Sequence, residues 1–221
     1  VSRPLLIKFC GLRTEADAEA TVAAGAQLGG LVFAPKSPRK VNLREARKVR
    51  DALYGQAEVV GLFADNAIEE IAATHSAVGL DRIQLHGGES DAFAERVEKE
   101  VGLPVLRAIP VEAAADVRAA DARYGSAFLF DAKPPRAGLA QGGHGQTFDW
   151  SALEAHEGER HFLLAGGLAP DNAADAVREG AKNDRFAGLD VSSGIERERG
   201  VKDPELMAAF AEAARSAWRE R

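Results

Sequence analysis

With a single cysteine, one methionine, two tryptophans and two tyrosines among 221 residues, this chain has little of what disulfide frameworks and aromatic stacking platforms are built from. The lone thiol, Cys10, has no internal partner. A reduced, cytoplasmic setting is therefore expected. Long apolar runs are missing too: the first stretch is broken by Lys8, with Gly11 and Arg13 soon after, so neither a signal peptide nor a membrane helix is expected. Basic charge is also in deficit. Lys and Arg number 28 against 34 Asp and Glu, a net charge of −6, which excludes a basic face spread for nucleic acid. A small local anion site remains compatible with that charge. No His/Cys cluster has metal-ligand spacing, and no metal is expected. What remains is an ordinary globular composition, 46% hydrophobic and 28% charged, long enough for one barrel-sized domain or two small ones.

Short runs of branched and aromatic residues alternate with longer Ala-, Glu- and Arg-rich stretches of helical spacing, and the alternation repeats eight times. Strands are expected to begin near Leu5, Leu28, Ala57, Asp81, Pro104, Ser126, His161 and Phe186, each followed by a helix. Thr14 with Asp17, Asn42 with Glu45, and Asn66 with Glu69 read as N-caps with an acid in the first turn, and Asp203 before Pro204 opens the last helix. Runs such as VVGLFA at residues 59–64 and AFLF at 127–130 are apolar on both faces, as in a parallel sheet covered on each side. Eight such units close without leaving an edge. The expected fold is α/β, a (β/α)8 or TIM barrel filling residues 1–221 as a single domain. One interval is long: residues 132–149 hold Pro134, Pro135, Gly138, Gly142, Gly143 and Gly145, and read as a loop over the mouth of the barrel.

Alternate residues of a barrel strand face inward, so parity groups the polar side chains. Lys8 and Cys10 share one face of the first strand, and Gln84 and His86 share one face of the fourth. Asp131 ends the sixth strand and Asp190 the eighth, so polar groups from four strands meet at one rim. Each has a plain structural reading: a lone cysteine is more often a small buried hydrophobe, Lys8 and Asp190 could form an interior ion pair, and His86 could be a satisfied core histidine. Position tips the balance, because the ends of barrel strands carry the chemistry of this fold. Gly166 and Gly167 after the seventh strand, and Ser192, Ser193 and Gly194 after the eighth, offer backbone N–H groups and hydroxyls where barrels hold phosphate. Lys36 and Arg39, in the loop after the second strand, are fit to meet a carboxylate.

The segments KFCGLR at 8–13, GLVFAPKSPR at 30–39, QLHG at 84–87, FDAK at 130–133, GGHGQTFDW at 142–150, LAGGLAPDN at 164–172 and DVSSGIE at 190–196 occur in this order. Together they resemble the phosphoribosylanthranilate isomerases of tryptophan biosynthesis. Phe9, Arg13 and His144 depart from the usual pattern, the last within the long loop. The resemblance implies Cys10 as general base, Asp131 as general acid, Arg39 at the anthranilate carboxylate, and phosphate on Gly166, Gly167, Ser192, Ser193 and Gly194. Lys8, Gln84, His86 and Asp190 would line the substrate.

The implied reaction is an Amadori rearrangement of an aminoaldose phosphate to a ketose, by acid and base alone, with no metal and no other cofactor expected. At neutral pH an ordinary thiol is mostly protonated and an ordinary carboxyl mostly ionised, so both would be in the wrong form. Lys8, two residues from Cys10 on the same face, is expected to favour the thiolate. The expected partner is a small-molecule substrate, with neither nucleic acid nor membrane, and the chain is compatible with a monomer or a homodimer. Rival readings are another phosphosugar barrel enzyme (a synthase or an epimerase), a non-catalytic phosphosugar binder, and a redox-sensing thiol protein.

Overall fold

The computed structural model describes residues 3–133 and 147–221. Eight parallel strands close into a barrel in sequence order: β1 (Leu6–Cys10), β2 (Leu28–Val32), β3 (Glu58–Phe63), β4 (Arg82–Leu85), β5 (Val105–Val111), β6 (Ala127–Ala132), β7 (Phe162–Leu164) and β8 (Phe186–Val191). Each begins within one residue of where the apolar runs place it. β8 pairs with β1, with Lys8 opposite Asp190, and this closes the ring.

The double-sided apolar runs have the physical cause expected of a covered parallel sheet. Ile7, Phe9, Leu85, Phe128, Phe130 and Phe162 point outward into one large core shared with the helices, where Phe9 meets Phe210 edge-on at 6.2 Å. The opposite parity fills the interior with Leu28, Val60, Leu106, Ala108, Leu129 and Leu163, and above them Cys10, Val32 and Ala34 form a smaller cluster.

Helices α1 (Glu15–Ala23), α2 (Leu43–Leu53), α3 (Ile68–Val78), α4 (Asp91–Val101), α5 (Ala114–Ala120), α6 (Ala173–Gly180) and α7 (Pro204–Arg219) cover the sheet. Thr14 and Asn42 close capping boxes with Asp17 and Glu45, and Asp203 caps α7 ahead of Pro204. The third cap differs from expectation. Asn66 lies one residue too early: its side chain accepts from the Ala64 N–H, and α3 starts after Ala67 with no side-chain cap. Between β6 and β7 the described residues carry a 3-10 segment, Trp150–Ala155. Of the loop expected over the mouth at 132–149, residues 134–146, His144 among them, lie outside the described residues. A small antiparallel hairpin, β9 (Glu196–Glu198) with β10 (Val201–Lys202), precedes α7 and has no counterpart in the sequence reading. Among the described residues no helix is long and apolar enough to cross a membrane.

Candidate active site

The polar side chains that parity groups together do share one end of the barrel, at the C-terminal ends of the strands. Lys8 is fully buried and its Nζ donates to Asp190 Oδ1 at 2.7 Å. Gly30 on β2 leaves room for both neighbours on β1: a Cβ there would stand 3.0 Å from Cys10 Sγ and 3.1 Å from Lys8 Nζ. The thiol is thus seated at the mouth end of the interior, 4% exposed, beside an ion pair rather than a lone cation.

The burial of the thiol corrects the electrostatic expectation. Burial pushes the Cys10 thiol above its ordinary range, and the Asp190 carboxylate adds to the rise; the charges of Lys8 and Lys202 pull the other way and are outweighed. Lys8 acts in the expected direction, Asp190 offsets part of its effect, and burial decides the net rise. Lys8 itself is raised: burial would lower it, and Asp190 and Cys10 more than offset that.

On the other side of the rim, Gln84 Nε2 donates to His86 Nδ1 at 2.8 Å, which leaves His86 Nε2–H to donate to Asp131 Oδ2 at 3.1 Å. The contact spans β5, where the small inward side chain of Ala108 leaves the gap open. Gln84 Oε1 is buried without a partner. Asp131 is 7% exposed, and its Oδ1 faces Gly166, where φ is +84° and a Cβ would stand 2.9 Å from that oxygen.

The two glycine- and serine-bearing turns connect these halves. Gly194 lies so close to the Leu168 carbonyl that any side chain would collide with it, which locks the turn after β8 against the turn after β7. Ser192 Oγ donates to the Cys10 carbonyl at 3.0 Å, so the same turn is fastened to the end of β1. Gly167, like Gly166, has positive φ, and Ser193 and Gly194 form a short 3-10 turn after β8. The rim therefore runs without a break from Asp131 through Gly166 and Gly194 to Cys10.

Arg39 is where the sequence reading was incomplete. Its stem lies against Gly11, with Cδ 2.7 Å from where a Cβ would sit, but its guanidinium is engaged: Nε and Nη2 donate to Glu196 Oε1 and Oε2 at 2.7 and 2.8 Å. Lys202 Nζ donates to the same Oε1 at 2.9 Å and to the Ser192 carbonyl at 2.8 Å, and the Gly200 N–H donates to Oε2 at 3.0 Å. Glu196 closes the DVSSGIE segment, yet nothing local marks it or Lys202 as a partner of Arg39, which lies 157 positions away from Glu196. Burial by itself would raise the Glu196 carboxyl; the Arg39 hydrogen bonds, the Lys202 charge and the Gly200 N–H overcome it and hold the group at about 2.

A carboxyl held that low stabilises the fold above the ordinary glutamate range near 4.5 and loses its contribution as pH falls towards 2. The full contribution is roughly 3 kcal/mol, of which roughly 2 kcal/mol should be gone by about pH 3. Urea unfolding of the wild type near pH 6 and near pH 3 should show that extra loss relative to Glu196→Gln. Parallel pH dependence in the two proteins would contradict it.

Among the described residues no group of three or more His, Cys, Asp and Glu side chains is arranged to hold a metal ion. A separate concavity of about 510 Å³ lies at the opposite end of the barrel, near Leu28, Tyr54 and Arg82, and is lined by none of the rim residues.

Comparison with known proteins agrees with this architecture. A curated relative from Rhodopseudomonas palustris (strain BisA53), named N-(5'-phosphoribosyl)anthranilate isomerase, is 42% identical over 96% of this chain and 97% of its own length. The crystal structure of phosphoribosyl anthranilate isomerase from Thermus thermophilus superposes with a TM-score of 0.84 at 31% identity, covering 96% of this chain and 99% of that one. A further phosphoribosyl anthranilate isomerase, solved in complex with reduced 1-(o-carboxyphenylamino)-1-deoxyribulose 5-phosphate, superposes with a TM-score of 0.80 at 29% identity, over 96% and 100% of the two chains. The sequence model of one family, described as N-(5'phosphoribosyl)anthranilate (PRA) isomerase, matches residues 7–213, and the chain belongs to that family.

Proposed function

We propose that this chain, as one barrel domain, isomerises N-(5'-phosphoribosyl)anthranilate to 1-(2-carboxyphenylamino)-1-deoxyribulose 5-phosphate in tryptophan biosynthesis. The observation that carries the residue assignment is the continuous rim joining Cys10 to Asp131 through two turns suited to a phosphate. The phosphate would rest on the backbone N–H groups of Gly166, Gly167, Ser192, Ser193 and Gly194 and on the Ser193 hydroxyl, the Ser192 hydroxyl being bonded to the Cys10 carbonyl, which anchors the sugar between the two reactive side chains.

Asp131, in its acid form, gives its proton to the furanose ring oxygen as the C1'–O bond opens, leaving a protonated Schiff base. Oδ1 is the atom placed to do so, because Oδ2 is held by His86. Cys10, as thiolate, takes the C2' proton; the electron pair of that C–H bond forms the enolamine, which tautomerises to the ketone. Gln84 and His86 orient the acid. Asp190 holds Lys8 beneath the base, and Arg39 faces the substrate carboxylate.

The test uses the fluorescence of phosphoribosylanthranilate, formed in situ from anthranilate and phosphoribosyl pyrophosphate. The purified chain should extinguish it catalytically with no added metal or cofactor. Unchanged fluorescence at micromolar protein, with substrate present, would end this reading in favour of a phosphosugar binder.

A further inference from the structure

Two buried cations, Arg39 and Lys202, share one carboxylate, Glu196, beside Cys10 and Ser192. The cluster carries one surplus positive charge. All its members are nearly inaccessible, with side chains 10%, 1% and 4% exposed, so bulk water does little to relieve that surplus. Such an arrangement calls for an anion at its open edge.

A guanidinium has two edges that can each grip a carboxylate: a side edge made of Nε and one terminal nitrogen, and an end edge made of both terminal nitrogens. Glu196 occupies the side edge of Arg39. Among the described residues no hydrogen bond uses Nη1, so the end edge is open. We propose that Glu196 is a positioning residue which, braced by Lys202, locks the side edge of Arg39 so that its end edge takes the planar arenecarboxylate of the substrate. This rests on the function proposed above and deepens it, since it assigns specificity for an ortho-carboxylated aniline to three residues instead of one.

The alternative is that Glu196 competes with the substrate for Arg39. Its bonding argues against release: four donors hold its two oxygens, from Arg39 twice, Lys202 and the Gly200 backbone, and they keep it ionised far into acid. The phosphate turn is a second possible beneficiary of the surplus charge, because Lys202 also bonds the Ser192 carbonyl. That bond is to a carbonyl pointing at the ammonium, and leaves the phosphate to the N–H groups on the turn.

The experiment compares two substrates: phosphoribosylanthranilate, and the analogue lacking the carboxylate, N-(5'-phosphoribosyl)aniline, prepared from ribose 5-phosphate and aniline. Wild type should prefer the first by kcat/KM; if it turns over both equally, the carboxylate role of Arg39 fails, and this inference with it. Glu196→Gln should raise KM for the anthranilate substrate roughly tenfold or more, with kcat changed less than about threefold, and should change kcat/KM for the aniline analogue little. Lys202→Met leaves the Arg39–Glu196 fork intact and removes the surplus charge; it should give the same selective rise, smaller in size, and it reads the inference should Glu196→Gln fail to fold. A lower KM in Glu196→Gln would make Glu196 a competitor. An equal loss on both substrates would make the cluster a structural or phosphate-supporting device, and either result overturns the proposal.

Discussion

Replacing Cys10 with alanine should cut kcat by roughly 10²–10⁴-fold while KM moves by no more than about threefold, because the thiol acts only when the C2' proton leaves. The side chain is small and sits in a minor cluster with Val32 and Ala34, so truncation leaves the barrel folded. Cys10→Ser tests the base more sharply: it keeps the size and removes the acidity, and should lose nearly as much. Full turnover in Cys10→Ser would reduce Cys10 to a packing residue. The wild type carries a second signature. Since burial, and after it Asp190, raise the thiol, the thiolate forms only on the alkaline side of its ordinary range; because Asp131 must be in its acid form at the same time, kcat/KM should be bell-shaped with pH, and its alkaline limb should report the thiol. Asp190→Asn removes one of the groups that raises it, so that limb should move to lower pH. A limb that stays in place would contradict the assignment.

Asp131→Asn should fall by a similar factor, for a different reason. An amide oxygen at the Oδ2 position can still accept from His86 Nε2–H, so the Gln84–His86–Asp131 chain keeps its geometry. What disappears is a proton acidic enough to pass to the ring oxygen. The loss should therefore appear in kcat, measured at saturating substrate, with the unfolding midpoint little changed. If Asp131→Asn retained more than about a tenth of wild-type kcat with chemistry rate-limiting, proton delivery would have to come from elsewhere. Cys10→Ala and Asp131→Asn combined should lose less than the product of the two factors, because groups that serve one reaction as a pair are not additive.

Much of this was legible in the linear chain because the signals are local. Apolar runs such as those at 59–64 and 127–130 place each barrel strand to within one residue, since a strand buried on both faces has little choice of composition. Thr14, Asn42 and Asp203 mark helix starts because a cap bonds only two or three residues ahead. Asn66 misled for the same local reason: its side chain found the Ala64 N–H behind it before any helical N–H ahead. Parity placed Lys8 with Cys10 and Gln84 with His86 correctly. The hairpin of β9 and β10 and the 3-10 segment before β7 are too short to show a period.

By themselves, then, the residues of this chain determined a closed parallel barrel, the end of it that carries the polar rim, and the family to which it belongs, because strand periodicity and motif order need no knowledge of distant contacts. Only the folded molecule decided the charge state of the site. Asp190 meets Lys8 across 182 positions and Glu196 meets Arg39 across 157, and such pairings set the fields felt by Cys10 and the open edge of Arg39. Electrostatic energy depends on separation in space and on burial, and neither is written in sequence separation.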